Sequence, residues 1–334
     1  MKAVGYLSRG GTEVLVDFEQ PKPTPGPRDL LVEVRAVSVN PVDTKRRRWD
    51  APPQGEKMMV LGYDAAGVVT AIGSDVKLFS VGDEVYYAGA FDRPGTNAEY
   101  HVVDERIVGP KPKTLSFAQA AGLPLTAITA WEILFDRMRI PYGRKAPAGT
   151  LLVLNGAGGV GSIMIQLARR LTGLTVIGTA SRKETSAWVK SMGAHHVVDH
   201  SKPIDEAVLE LGFEGVEYVA AITTTPKSIT GIGRVLKPQG HVNFIDDFSD
   251  SISIFKAKSI TISWEMMFTR SLFETPDMIQ QHHLLAEISA LVDEGAIRTT
   301  VTNIAGTINA KNLREVHRLV ESGRAIGKTV LEGF

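Results

Sequence analysis

The segment NGAGGVG, residues 155–161, fits G-x-G-x-x-G through Gly156, Gly158 and Gly161. It follows the apolar run TLLVL and opens the helical pattern GVGSIMIQLARRL, the context in which such a loop binds a dinucleotide. Gly156 permits a tight turn. Gly158, with Gly159 and Val160, lets backbone N–H groups approach a pyrophosphate. Gly161 lets helix and strand pack closely. The helix start adds free N–H donors and a positive dipole end.

An NAD site usually carries a carboxylate about 20 residues beyond the glycines. Here the run LTVIGTASRKE offers Ser181, Arg182 and Lys183 instead. A hydroxyl and two cations suit the 2′-phosphate of NADP, which a carboxylate would repel. His200 is a possible further contact to that phosphate, although a histidine after a strand is more often structural. Ser181 and Glu184 also read as a helix capping box, which is compatible with the phosphate role.

A second chemical cluster is LGYDAAG, residues 61–67, where Tyr63 and Asp64 lie between glycines. Upstream, SVNPVD holds Asn40 and Asp43. Asn40 before Pro41 is good turn chemistry, Asp43 can cap a turn, and Tyr63 can pack in a core. The residues alone leave both structural and substrate-facing readings open. KRRR, residues 45–48, reads as a solvated basic face. The adjacent pair His282–His283 would point apart on a helix and make a poor metal site.

These residues must be held by two kinds of domain. Short β-patterned runs such as DLLVEVRAVSV (29–39), GVVTAIG (67–73) and NAEYHVVD (97–104) indicate a β-rich first domain. The middle alternates strands and helices. TLLVLNG, LTVIGTA, HHVVD, VEYVAAI, HVNFID and SITISWE supply six strand candidates for a doubly wound parallel sheet. Phe244 and Ile245, ending the fifth, are expected near the nicotinamide. SITISWE is expected at the sheet edge, where pairing with its copy would give a homodimer. Residues 276–295 and 309–323 read as amphipathic helices. Acidic and basic residues balance at 37 each, which points away from nucleic acid and anionic membranes. With no cysteine, disulfides and thiolate chemistry are excluded. The N-terminus lacks a signal-peptide core, so a cytoplasmic enzyme is expected.

The series VSVNPVDTK, LGYDAAGVV, VGDEVY, NAEY, NGAGGVG, GAHHVVDHSK and GKTVLEGF resembles the medium-chain dehydrogenase/reductase superfamily. It is most similar to the zinc-type alcohol dehydrogenase-like proteins of the quinone oxidoreductase branch. The resemblance implies a Rossmann domain over 126–269 and a GroES-like β-barrel catalytic domain over 1–125 and 270–334, with a substrate cleft between them. It also implies a departure. The positions of the family's catalytic zinc ligands fall at Asn40, Tyr63 and about Leu125, so no metal is expected. Asn40 and Tyr63 then become the expected hydrogen-bond donors to a developing oxyanion, oriented by Asp43 and Asp64. Thr129 is expected on the nicotinamide side. Two neutral donors suit a delocalised product anion better than a localised alkoxide. The expected substrate is therefore a quinone or an α,β-unsaturated carbonyl, with NADPH as reductant. The rivals are an alcohol dehydrogenase acting on aldehydes or ketones, and a non-catalytic NADPH-binding redox sensor or structural protein.

Overall fold

The computed structural model describes residues 1–52, 54–55, 58–143, 147–224 and 228–334. The chain divides into two compact units, Thr129–Met267 and, discontinuously, Met1–Ile128 with Phe268–Phe334.

The Thr129–Met267 unit is an α/β layer structure. Its six strands are β1 (Thr150–Leu154), β2 (Thr175–Thr179), β3 (His196–Val198), β4 (Val216–Ala221), β5 (Leu236–Phe244) and β6 (Thr261–Trp264). They lie in the order β3-β2-β1-β4-β5-β6 and every pairing is parallel. All five residues of β1 are buried, as its unbroken apolar run requires of a central strand covered on both faces. Strand order reverses between β1 and β4, so the carboxyl end of β1 opens at a topological switch point. Helix α1 (Gly159–Leu171) leaves from that end, and helix α2 (Lys183–Ser191) follows β2. The expected strand SITISWE contracts to β6, which is indeed the sheet edge, and Trp264 there is 49% exposed.

Phe244 ends β5, as expected. Its ring is fully buried, 4.5 Å from the Phe248 centroid and 5.9 Å from that of Trp264. The apolar ring packs into the core beside these aromatics. Its neighbour Ile245 remains half-buried.

The other unit is built on the long strand Asp29–Ser38, which pairs with Ala65–Ile72, Tyr100–Asp104 and the C-terminal Lys328–Glu332, all antiparallel. Val37 faces Ala65 across one pairing, and Ser38 faces Val330 across the other. Ser38, Asp64 and Lys328 therefore lie at one end of three adjacent strands, although nearly the whole chain separates the first from the last. The helix expected over 276–295 starts only at Gln280, because Pro276 to Ile279 form turns closed by Met278 N–H to Thr275 O and Gln280 N–H to Asp277 O. The C-terminal helix Ala310–Glu321 has Asn309 as its N-cap, with its side chain accepting from Asn312 N.

No helix among the described residues is long and apolar enough to cross a membrane.

Candidate active site

The two glycines of LGYDAAG are required by the backbone. Gly62 sits at φ +116°, and a Cβ there would lie 2.4 Å from Thr96 Oγ1 and 2.8 Å from Asn97 N. A Cβ on Gly67 would meet Glu33 O at 2.1 Å. These close approaches turn Tyr63 and Asp64 inward, where they are 1% and 0% exposed.

Asp64 is the hub of a buried polar cluster. Its Oδ2 accepts from Ser38 Oγ at 2.6 Å, Asn40 Nδ2 at 2.7 Å and Lys328 Nζ at 3.2 Å. Its Oδ1 accepts from Leu125 N at 2.8 Å. Lys328 Nζ also donates to Asn40 Oδ1 at 2.5 Å and Val39 O at 3.2 Å. Burial pushes the Asp64 carboxyl above its ordinary value, and Lys328 is the largest influence opposing that shift.

Asp43 serves the turn. Its two carboxylate oxygens accept from Asn40 N at 2.7 Å and Gly62 N at 3.0 Å, tying the start of helix Pro41–Trp49 to the LGYDAAG loop. Burial is the largest influence on its pKa, which rises to about 7 despite those two bonds and Lys328.

The Asn40 amide is not positioned as expected. It is fully buried, and its N–H groups go to Asp64 Oδ2 and, at 3.4 Å, to Tyr63 O. A substrate oxygen would have to displace a carboxylate to reach it. Asn40 instead joins Asp64 and Lys328 to the loop that carries Tyr63.

Tyr63 is arranged differently. Its ring is edge-on to Phe268 at 5.1 Å and stacked with Phe91 at 6.1 Å. Its hydroxyl accepts from Arg46 Nη1, and among the described residues no acceptor takes the phenol's own proton. Burial pushes the phenol well above its usual range, with Arg46 the chief opposing influence.

Of the basic run 45–48, Lys45 and Arg48 are exposed as its charge suggested, while Arg46 and Arg47 turn inward. Arg46 is held by Asp50 and Tyr63, while Arg47 is fully buried against His317 and Glu321. Helix Pro41–Trp49 turns these side chains inward, where carboxylates and carbonyls offset the desolvation of each guanidinium. Charge density along the sequence carries no sign of that packing. Arg46 and Lys328 are the site residues that sequence reasoning missed.

In the Thr129–Met267 unit, the glycine loop has the shape its spacing demands. Asn155 adopts φ +58°, its N–H donates to Thr179 Oγ1 at 3.0 Å, and Gly156 N–H reaches Thr179 O at 3.1 Å. Gly158 is the N-cap of α1, and Gly159 and Val160 occupy its first turn. A Cβ on Gly161 would stand 2.4 Å from Asn155 O and 2.7 Å from Gly156 Cα, both backbone atoms. The loop therefore has the tight backbone cradle a pyrophosphate requires, and the residues fit a dinucleotide. Gly161→Ala forces that cradle open, with an expected loss of tenfold or more in dinucleotide affinity. Titration of NADPH fluorescence measures it, and an unchanged Kd would remove the close packing as a requirement.

Ser181, Arg182 and Lys183 follow the end of β2, with Ser181 and Lys183 exposed. The helix cap is one residue later than expected. Arg182 is the N-cap, and Thr185, not Glu184, closes the box by accepting from Arg182 N at 3.1 Å. Arg182 is extended there (φ −118°, ψ 154°), so Ser181 lies outside the helix start. Glu184 pairs with Arg182 at 3.3 Å across a largely exposed surface, a weak contact. His200 Nδ1 lies 3.0 Å from Thr179 Oγ1, and burial lowers its pKa. Thr129 is buried on helix Pro124–Trp131.

Residues 26–113 match the family described as Alcohol dehydrogenase GroES-like domain, and residues 159–287 match Zinc-binding dehydrogenase. A zinc-type alcohol dehydrogenase-like protein of Staphylococcus aureus (strain MSSA476) is 42% identical over 317 residues, covering 94% of this chain and 93% of the relative. The chain belongs to the zinc-type alcohol dehydrogenase-like proteins of the medium-chain dehydrogenase/reductase superfamily. A solved structure from Rhizobium etli CFN 42, described as a candidate zinc-dependent alcohol dehydrogenase, is 55% identical, with a TM-score of 0.96 over 100% of this chain and 98% of that one. The chloroplastic NADPH-dependent alkenal/one oxidoreductase of Arabidopsis thaliana is 40% identical over 210 residues, 60% of this chain and 53% of that protein.

Membership makes the chain an oxidoreductase of this superfamily with a GroES-like N-terminal domain and a Rossmann-like sheet. The zinc of the family's name is not matched by donors here. Asn40 and Tyr63 are an amide and a phenol already engaged by Asp64 and Arg46, and the Leu125 side chain carries no donor atom for a metal. Among the described residues no group of three or more His, Cys, Asp or Glu could hold a metal ion.

Proposed function

We propose that the chain is a cytoplasmic, NADPH-dependent reductase of quinones or α,β-unsaturated carbonyls, with Tyr63 as the hydrogen-bond and proton donor to the substrate oxygen. One observation carries this reading: Arg46 occupies the acceptor side of the Tyr63 hydroxyl and leaves its proton without a partner among the described residues. When bound, NADPH supplies a hydride. Tyr63 meets the negative charge that hydride arrival builds on the substrate. A single donor is typically worth about 3 kcal/mol, too little for a localised alkoxide and adequate for a delocalised enolate or phenolate. Phe91 and Phe268 flank the phenol with apolar rings that suit a planar conjugated substrate. Arg182 and Lys183, with Ser181, support NADPH over NADH through charge-assisted hydrogen bonds to a 2′-phosphate. The name of the Arabidopsis relative agrees with both the cofactor and the substrate class.

The test is cofactor oxidation followed at its absorbance maximum. Expected is rapid turnover of 2-cyclohexen-1-one and 1,4-benzoquinone with NADPH, at least tenfold slower reaction with NADH, and little with cyclohexanone. Preference for the saturated ketone would favour an alcohol dehydrogenase. No turnover of any of the three, despite tight NADPH binding, would favour a non-catalytic binding protein.

A further inference from the structure

The helix Pro41–Trp49 delivers Arg46 to the aromatic cluster in a fixed pose. Its Nε donates to Asp50 Oδ2 at 2.7 Å, one helical turn on, and its Nη1 donates to Phe91 O at 2.5 Å as well as to the Tyr63 hydroxyl. The guanidinium carbon lies 4.0 Å from the Phe91 ring centroid and 5.7 Å from that of Tyr63. The side chain is 14% exposed, so water does little to screen it from the phenol. A carboxylate, a carbonyl and an aromatic face therefore fix the cation against the Tyr63 oxygen.

We propose that Arg46 is the positioning residue that makes Tyr63 a competent acid: it fixes the phenol oxygen through its lone pair, aims the O–H outward, and holds the phenolate left behind. The proposal rests on the reductase reading above and deepens it, assigning Arg46 a part in the proton transfer. The proton balance is explicit. Hydride from NADPH brings an electron pair to the conjugated substrate, the Tyr63 O–H bond breaks, and the proton goes to the substrate anion. The phenolate then faces the Arg46 guanidinium as an ion pair until water returns a proton. Without Arg46 that phenolate would form on a side chain 1% exposed with no cation in contact, a heavily penalised state.

The experiment is a double-mutant cycle on enone reduction with NADPH. Arg46→Met is expected to lower kcat tenfold or more, with the Kd for NADPH within twofold of wild type. Arg46→Lys retains a cation and is expected to recover most of that loss, and added guanidinium is expected to restore Arg46→Ala saturably. In a Tyr63→Phe background, Arg46→Met is expected to cost nothing further, because its effect passes through the hydroxyl. Multiplying losses, or wild-type kcat in Arg46→Met, would overturn the proposal while enone turnover by the wild type kept the reductase reading intact. Failure of the wild type to reduce either enone or quinone would remove both. Should Arg46→Met not fold, Arg46→Gln keeps a polar group against Phe91 O without the charge. It is then expected to show the same tenfold loss, and wild-type kcat in it would overturn the role.

Discussion

Tyr63→Phe is expected to lower kcat for enone reduction about a hundredfold, with the affinity for NADPH within twofold of wild type. The substitution removes one oxygen from a ring already packed against Phe91 and Phe268, so the apolar contacts persist. It removes a hydroxyl proton that has no acceptor among the described residues. Loss of a single preorganised donor to a developing oxyanion costs two to three orders of magnitude in well-studied cases, and a delocalised anion places the effect toward the lower end. The dinucleotide loop lies in the other unit of the chain and is untouched by the change. Steady-state kinetics with 2-cyclohexen-1-one, beside fluorescence titration of NADPH, separates the two quantities. A wild-type kcat in this variant would exclude Tyr63 from proton donation and with it the case for Arg46.

Lys328→Met is expected to be the most destabilising single change at the site, by about 3–5 kcal/mol at neutral pH. Lys328 is 4% exposed and Asp64 is fully buried, so removing the ammonium leaves a carboxylate with neither water nor cation. Asp64 already has a raised pKa from burial, and without Lys328 it rises further. The sign follows from linkage: a carboxyl whose pKa is higher folded than unfolded binds its proton more tightly in the native state. Its stabilising contribution is complete at acid pH and is lost as pH climbs through the folded value. The defect in Lys328→Met should therefore grow from pH 4 toward neutrality. Asp43, pushed up to about 7 by burial, imposes the same downward slope on the wild type between the ordinary carboxylate value and about 7. Adding Asp64→Asn to Lys328→Met removes the orphan charge and is expected to recover most of the loss. Urea midpoints at pH 5 and pH 8 measure both effects. Equal stability of Lys328→Met and wild type at pH 8 would show that the buried pair contributes nothing.

The α/β order and the phosphate loop were legible because they depend on short-range facts. An unbroken apolar strand, glycines at fixed spacing and an amphipathic helix act within about twenty residues, and each leaves a periodic trace. Tyr63 was legible as a position through the family resemblance, and the structure shows why glycines flank it: a Cβ there would strike backbone or side chain. What its hydroxyl does was not legible. Arg46 stood in a basic run that reads as solvated, and Lys328 in a C-terminal strand with no mark of chemistry. Asn40 looked like a free donor until Asp64 and Lys328 were placed beside it. The cap at Arg182 was settled locally, by Thr185 three residues on rather than by Glu184. By itself the sequence determined the dinucleotide cradle, the two architectures and the lack of a cysteine-based metal site. Only the tertiary structure decided which polar groups are satisfied and which proton remains available, because a buried hydrogen bond depends on ångström-scale distances between segments that the linear order does not encode.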